Sequence, residues 1–194
     1  MERYKYRSYR EYIKCQKAGF AKKSANVWAR RPNIEHIASY LAQFNPTSGI
    51  CHGVRTGCEV LWFRDILGIP VIGTEIGDSP GEYITQWDFN IPNPEWTSKF
   101  SFVYSNSFDH AYDLERTLEV WADQAGHLVL ETDERNEHTG AVSRKVNKTD
   151  PTGIELDELI ELVRSIMGSV TVIDLPVVTY RYRKAIVGGR TNEH

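Results

Sequence analysis

The chain has 194 residues, 41% of them apolar and 11% aromatic, with a formal net charge of −3. That composition excludes a wholly disordered chain, and no apolar run reaches the length of a bilayer span or forms the core of a signal peptide behind Met1-Glu2-Arg3. Cys15, Cys51 and Cys58 show no C-x-x-C spacing, which argues against a disulfide framework or a zinc site and points to a reducing, cytoplasmic setting.

Charge is unevenly placed. Residues 1–31 carry ten Lys/Arg against only Glu2 and Glu11, so the remainder is acidic. The basic side chains alternate with Tyr4, Tyr6, Tyr9, Tyr12, Phe20 and Trp28. Such an arm either binds nucleic acid or a phosphorylated substrate, or forms a cap helix with solvated charges and docked aromatics. The cap is the commoner outcome, and nucleic acid stays as the weaker partner.

Residues 8–20 and 33–43 read as helices, with a break at Arg31-Pro32-Asn33. A turn over 45–49 leads into a strand at 49–52. Further strands are expected at 70–76, 83–87, 100–106, 127–132, 169–175 and 179–187, with helices at 58–67, 113–124 and 155–167. This alternation predicts an α/β fold with a mostly parallel sheet and helices on both faces. Residues 176–178 are too few for a crossover helix, so the last two strands pair antiparallel or lie on different edges. Residues 133–153 read as a loop. The expected division is a helical cap or lid over 1–47 and one α/β unit over 48–194.

The most informative stretch is Gly53-x-Arg55-x-Gly57, between the first buried strand and its helix, followed by a second buried strand ending at Glu75. Strand, glycine turn, helix, strand and acid is an arrangement that holds a nucleoside. The glycines admit close backbone approach, and the acid can accept hydrogen bonds from ribose hydroxyls. The G-x-G-x-x-G spacing and the P-loop are both absent, so the site suits a nucleoside without a polyphosphate. The alternative is a tight connection with no ligand.

Other residues have two readings each. Asp88 is an adenine acceptor or the head of an Asx turn before Asn90 and Pro92. Phe89 or Trp87 stacks on a base or fills core. Ser105 and Asn106 end a buried strand, where open α/β sheets present ligand contacts or simply turn. His52 and His127 read as packing. Glu131, Asp133, Glu137 and His138 fit no metal motif and read as solvated loop charges, so no metal is expected.

In this order the segments resemble a class I S-adenosylmethionine-dependent methyltransferase of the small-molecule branch, over roughly 48–187. The resemblance implies a Rossmann-like three-layer sandwich with a seven-stranded, mostly parallel sheet ending in an antiparallel hairpin. It implies S-adenosylmethionine as cofactor. Cys51, Gly53, Arg55 and Gly57 would hold its methionine end, Glu75 and Ile76 the ribose, Asp88 and Phe89 the adenine. Ser105 and Asn106 would lie beside the sulfonium. His110 would be a base and Asp109 its orienting partner. Tyr12, Gln16 and Trp28 would line a substrate lid. Two positions depart from the family pattern: Cys51 stands where an acid is usual, and Arg55 replaces the middle glycine. The implied acceptor is a hydroxyl or amine of a small molecule or glycan. Two other functions remain open, a non-catalytic nucleoside-binding module and a nucleic-acid methyltransferase using the basic arm. A homodimer is compatible with the sequence.

Overall fold

A computed structural model of the protein describes residues 1–78, 81–134, 146–176 and 182–190. Its helices are α1 (Tyr9–Lys23), α2 (Arg31–Ala42), α3 (Cys58–Leu67), α4 (Leu114–Ala122) and α5 (Leu156–Met167). Its strands are β1 (Glu2–Arg3), β2 (Gly49–His52), β3 (Val71–Glu75), β4 (Ile84–Gln86), β5 (Phe100–Ser105), β6 (Ala125–Glu134), β7 (Thr152–Gly153), β8 (Gly168–Asp174) and β9 (Tyr182–Arg190).

Local chemistry explains where the helices begin. Ser8 caps α1 by accepting from the Glu11 backbone N–H, and the Glu11 carboxylate reaches back to the Arg7 N–H at 2.7 Å, a reciprocal cap. Pro32 stands in the first turn of α2, where its missing N–H costs nothing. Gly57 and Gly68 bracket α3 with φ of 73° and 67°, a conformation that favours glycine. Asp113 caps α4 through the Arg116 N–H.

Seven strands form one sheet in the order β4-β3-β2-β5-β6-β9-β8. From β4 to β6 neighbours are parallel, whereas β9 is antiparallel to both β6 and β8. The three-layer sandwich with a terminal hairpin is therefore present. Every residue of β2 is buried, as expected of a central parallel strand covered on both faces. One core packs α2 and α3 onto the sheet through Ile34, Ile37, Leu41, Phe63 and Phe102. The other packs α4 and α5 through Leu118, Trp121, Leu128 and Val163.

Some boundaries differ from those expected. The final strand runs to Arg190 rather than residue 187, and its expected start at 179 and most of the 176–178 turn lie outside the described residues. Two single 3-10 turns, Pro94–Trp96 and Phe108–His110, were not foreseen. Nor was the two-stranded pairing of β1 with β7, which stitches the amino end to the segment before α5. Glu131 is not a solvated loop charge. It lies in β6, is 2% exposed, and accepts from Asn33 Nδ2 at 2.8 Å, the Tyr104 hydroxyl at 2.5 Å and Arg183 Nη1 at 2.5 Å. Burial and the Glu131 charge push the Tyr104 hydroxyl well above its ordinary value. Glu137 and His138 lie outside the described residues.

Candidate cofactor and acceptor site

The chain turns from β2 toward β3 on one side and β5 on the other, and a crevice opens where the strand order reverses. It spans about 560 Å³ of empty space, part of it open to solvent, and is bordered by Gly53, Arg55, Glu75, Ile76, Asp88 and Phe89, with residues of α1 also lining it. The loop after β2 has three positive φ angles: 72° at Gly53, 46° at Arg55 and 73° at Gly57. At Arg55 this geometry costs on the order of 1–3 kcal/mol. Glu75 holds it in place. One carboxylate oxygen accepts from the Arg55 backbone N–H at 2.9 Å, and the other from the Ile76 and Gly77 N–H groups at 2.8 and 3.2 Å. A carboxylate offers about four lone-pair sites, so capacity for a further donor remains. A Cβ at Gly53 would come within 2.8 Å of Ser107 Cβ, so only glycine lets the loop lie this close to the next strand end.

At Asp88 the Asx-turn reading is realised. Its Oδ1 accepts from the Asn90 backbone N–H at 3.1 Å and from Asn90 Nδ2 at 2.7 Å, an Asx turn, while Oδ2 accepts from the Tyr9 hydroxyl at 2.7 Å and the residue borders the crevice. Burial and Asp88 raise the Tyr9 hydroxyl above its usual range. Phe89 borders the crevice and packs edge-on against Trp121, whose indole N–H donates to the Phe89 carbonyl at 3.0 Å. Trp87 borders a neighbouring hollow of about 610 Å³ that shares Ile76 and Asp88 with the crevice.

On the opposite side, Arg55, Ser107 and His110 are shared with a second hollow of about 800 Å³, which Trp28, Asp109 and Asp150 also border. Trp28 is 52% exposed. His110 Nδ1 lies 3.2 Å from Gln16 Oε1, and its Nε2 lies 3.9 Å from Asp109 Oδ1 and 3.6 Å from Asp150 Oδ1. Asp109, His110 and Asp150 offer ligand atoms within 4.8 Å of one another, a cluster that the expectation of no metal did not include. The Tyr12 hydroxyl donates to the His110 carbonyl at 3.1 Å and accepts from Asn90 Nδ2 at 2.7 Å.

The structure thus gathers Gly53, Arg55, Glu75, Ile76, Asp88, Phe89, Asp109, His110, Tyr12, Gln16, Trp28 and Asn106 around two connected hollows. Three sequence candidates border neither. Cys51 is fully buried in the core, where desolvation pushes its thiol up. Gly57 packs against Ile84. Ser105 is buried, donating to the His52 carbonyl and accepting from the Ser107 N–H, both at 3.0 Å. These three shape the loops from behind. His52 is core: its ring bonds Thr74 and Gln124 at 2.7 and 2.8 Å and stacks on Trp121, and burial lowers its pKa to about 4.

Sequence reasoning missed Tyr9, Asn90 and Asp150. Tyr9 shares a helix face with Tyr12 and Gln16, a spacing that could have found it. Asp150 belongs to a turn held by Asn147 Oδ1, which accepts from the Thr149 and Asp150 N–H groups at 2.8 and 3.2 Å, and no local pattern marks it.

No family model and no curated protein sequence matches the chain. Solved structures match its fold. The Burkholderia thailandensis 1,6-didemethyltoxoflavin-N1-methyltransferase, solved with its substrate and S-adenosylhomocysteine, superposes with a TM-score of 0.75 at 15% identity, over 97% of this chain and 93% of that one. The magnesium protoporphyrin IX methyltransferase of Synechocystis PCC 6803, with bound S-adenosylmethionine, gives 0.62 at 10% identity over 96% and 100%. A sugar N-methyltransferase from Streptoalloteichus sp ATCC 53650 gives 0.60 at 12% identity over 90% and 92%. The fold of this chain is the Rossmann-like fold that these S-adenosylmethionine-dependent methyltransferases share.

Proposed function

We propose that the protein transfers a methyl group from S-adenosylmethionine to a hydroxyl or amine of a small molecule or glycan. The observation that carries this reading is the crevice at the strand-order reversal, framed by Gly53, Glu75 and Asp88, which opens past Ser107 and His110 into a second polar hollow. The residues present fit the cofactor. Gly53 lets the loop lie against Ser107 where a Cβ would collide, Glu75 retains acceptor capacity, and Asp88 and Phe89 both border the crevice. When bound, the cofactor supplies an activated methyl on a sulfonium.

What the protein contributes to such a transfer is alignment and exclusion of water. Glu75 holds the ribose, Asp88 and Phe89 hold the base, and the loop at Gly53 and Arg55 holds the methionine end. Tyr12, Gln16 and Lys23 on α1 cover the crevice, while Trp28, Asn106, Asp109 and His110 meet the acceptor. Residues 1–47 serve as lid and the α/β unit as cofactor domain. A cytoplasmic setting suits the three free thiols.

The arm's aromatics favour a small acceptor over nucleic acid. Tyr6, Tyr9 and Tyr12 pack on Tyr112 with ring centroids 6.1, 4.9 and 5.3 Å away, which removes them as base-stacking platforms. Arg3 pairs with Asp113 at 3.0 Å and Arg31 with Asp65 at 2.5 Å.

Calorimetric titration with S-adenosylmethionine and S-adenosylhomocysteine tests the reading. Binding in the micromolar range, weakened at least about tenfold in Glu75→Ala, is the expected result. Absence of binding to the unaltered protein overturns it. Binding with no S-adenosylhomocysteine formed against any hydroxyl or amine acceptor would favour a nucleoside-binding module.

A further inference from the structure

We infer that Asp109, His110 and Asp150 form a divalent-cation site on the acceptor side of the crevice, suited to an acceptor that presents two neighbouring oxygen atoms. The cation site stands on the cluster itself; its use in methyl transfer rests on the function proposed above.

The distances are those of ligands around a shared ion. His110 Nε2 lies 3.6 Å from Asp150 Oδ1 and 3.9 Å from Asp109 Oδ1, both beyond hydrogen-bond reach. Ligand atoms about 2.1 Å from one ion stand about 3 Å apart at right angles and about 4 Å apart when opposed. The three ligand atoms fall within 4.8 Å of one another, so small side-chain adjustments bring them onto one centre.

The imidazole is oriented for the same purpose. Gln16 Nε2 lies 3.5 Å from the Lys148 carbonyl and 3.3 Å from the Thr149 carbonyl. Two carbonyl acceptors fix that end of the amide as the nitrogen. Its oxygen then faces His110 Nδ1 at 3.2 Å, and Nδ1 must carry the proton. Nε2 is the ring nitrogen that faces Asp109 and Asp150, and so the one placed to ligate an ion. A histidine that donates one ring N–H to an outer partner while its other nitrogen faces the ion is the usual arrangement of a metal ligand.

The backbone supports this placement. The His110 N–H bonds the Ser107 carbonyl at 3.0 Å, and the Tyr12 hydroxyl bonds the His110 carbonyl at 3.1 Å. The three side chains remain 20–23% exposed toward the second hollow, leaving room for water and acceptor oxygens. Two carboxylates with one imidazole suit Mn2+, which accepts both ligand types. An acceptor with vicinal hydroxyls, or a hydroxyl beside a carbonyl, would occupy the open positions. The ion would make its hydroxyl more acidic, with the proton leaving to water. The acceptor oxygen then forms the new C–O bond as the methyl–sulfur bond breaks and its electrons return to sulfur. In this arrangement His110 is a ligand, not the base that the sequence suggested.

The test is a Mn2+ titration of chelator-treated protein without cofactor, read by calorimetry and by the loss of the free-ion electron paramagnetic resonance signal. One site is expected. Asp150→Asn and His110→Gln should each weaken it at least about tenfold, while the exposed Asp157→Asn should leave it unchanged. Thermal unfolding of each variant checks that it folds. No Mn2+ binding at millimolar concentration, or equal binding by folded Asp150→Asn, overturns the inference. S-adenosylhomocysteine binding without Mn2+ binding would sink the cation site and spare the proposed function; the reverse would sink the proposed function and spare the site.

Discussion

Glu75 combines two roles that the sequence presents as one. Its position after a buried strand suggested a ribose acceptor, but its carboxylate also holds three backbone N–H groups and a strained Arg55. Sequence shows the residue type at the strand end, and cannot show that a loop 20 positions earlier folds back onto it. Glu75→Ala should therefore lose stability as well as cofactor, by about 1–3 kcal/mol in urea unfolding, because buried donors are left unpaired. Glu59 stands in the first turn of α3, where an acidic side chain suits the helix dipole. It is 5% exposed, and burial pushes its carboxyl from 4.5 to about 8. The folded protein then binds a proton that the unfolded chain releases, so stability falls as pH rises from about 4.5 to about 8. Glu59→Gln should remove that slope, gaining on the order of a few kcal/mol over the unaltered protein near pH 8 and little near pH 4.5.

Helix α1 is where the reading of elements succeeded and then stopped. A helix over 8–20 and its role as a cover were expected from the sequence, and the helix runs from Tyr9 to Lys23. The partner surface was not visible. Tyr9 reaches Asp88, Tyr12 reaches Asn90 and Gln16 reaches the 148–149 turn, contacts spanning 78 to 133 positions that leave no local periodicity. The β1–β7 pair is too short to show strand alternation at all. Because α1 contributes Tyr12, Gln16, Phe20 and Lys23 to the crevice, a bound cofactor analogue should restrain it. Hydrogen exchange with S-adenosylhomocysteine should slow in α1 and in the 53–57 loop, with little change in β5 and β6, which are already protected by the core. Uniform slowing across the sheet would count against α1 as a cover.

For the whole molecule, the alternation of apolar strands and helices was enough to predict a mostly parallel sheet, whereas the short final connection left antiparallel pairing or different edges open, and the pairing is antiparallel. The buried polar network was not legible, because Asn33, Tyr104, Glu131 and Arg183 come from four separate elements. Its electrostatics add to a pH response of the entire fold. His52 is held neutral, with its pKa lowered from 6.5 to about 4, so the unfolded chain binds its proton first and stability falls as pH drops through that window. Glu59 acts in the opposite sense from about 4.5 to 8. Where the two windows overlap, their slopes oppose each other at about 1.4 kcal/mol per pH unit each. Thermal scans should show a plateau between about pH 4.5 and 6.5 and a decline on either side. In Glu59→Gln the alkaline decline should flatten.

Strand β9 lies between β6 and β8, although it follows both in the chain. During synthesis, β6 therefore waits beside an open edge until Tyr182–Arg190 has left the ribosome, and Glu131 waits in a forming core for Arg183. A nascent or clipped chain ending before Tyr182 would expose a long apolar strand edge and leave the Glu131 carboxylate without Arg183, features that favour aggregation and retention by chaperones. Loss of Tyr182–Arg190 would thus be a folding lesion within the sheet, and a reporter fused behind residue 181 should be far less soluble than one fused behind Arg190.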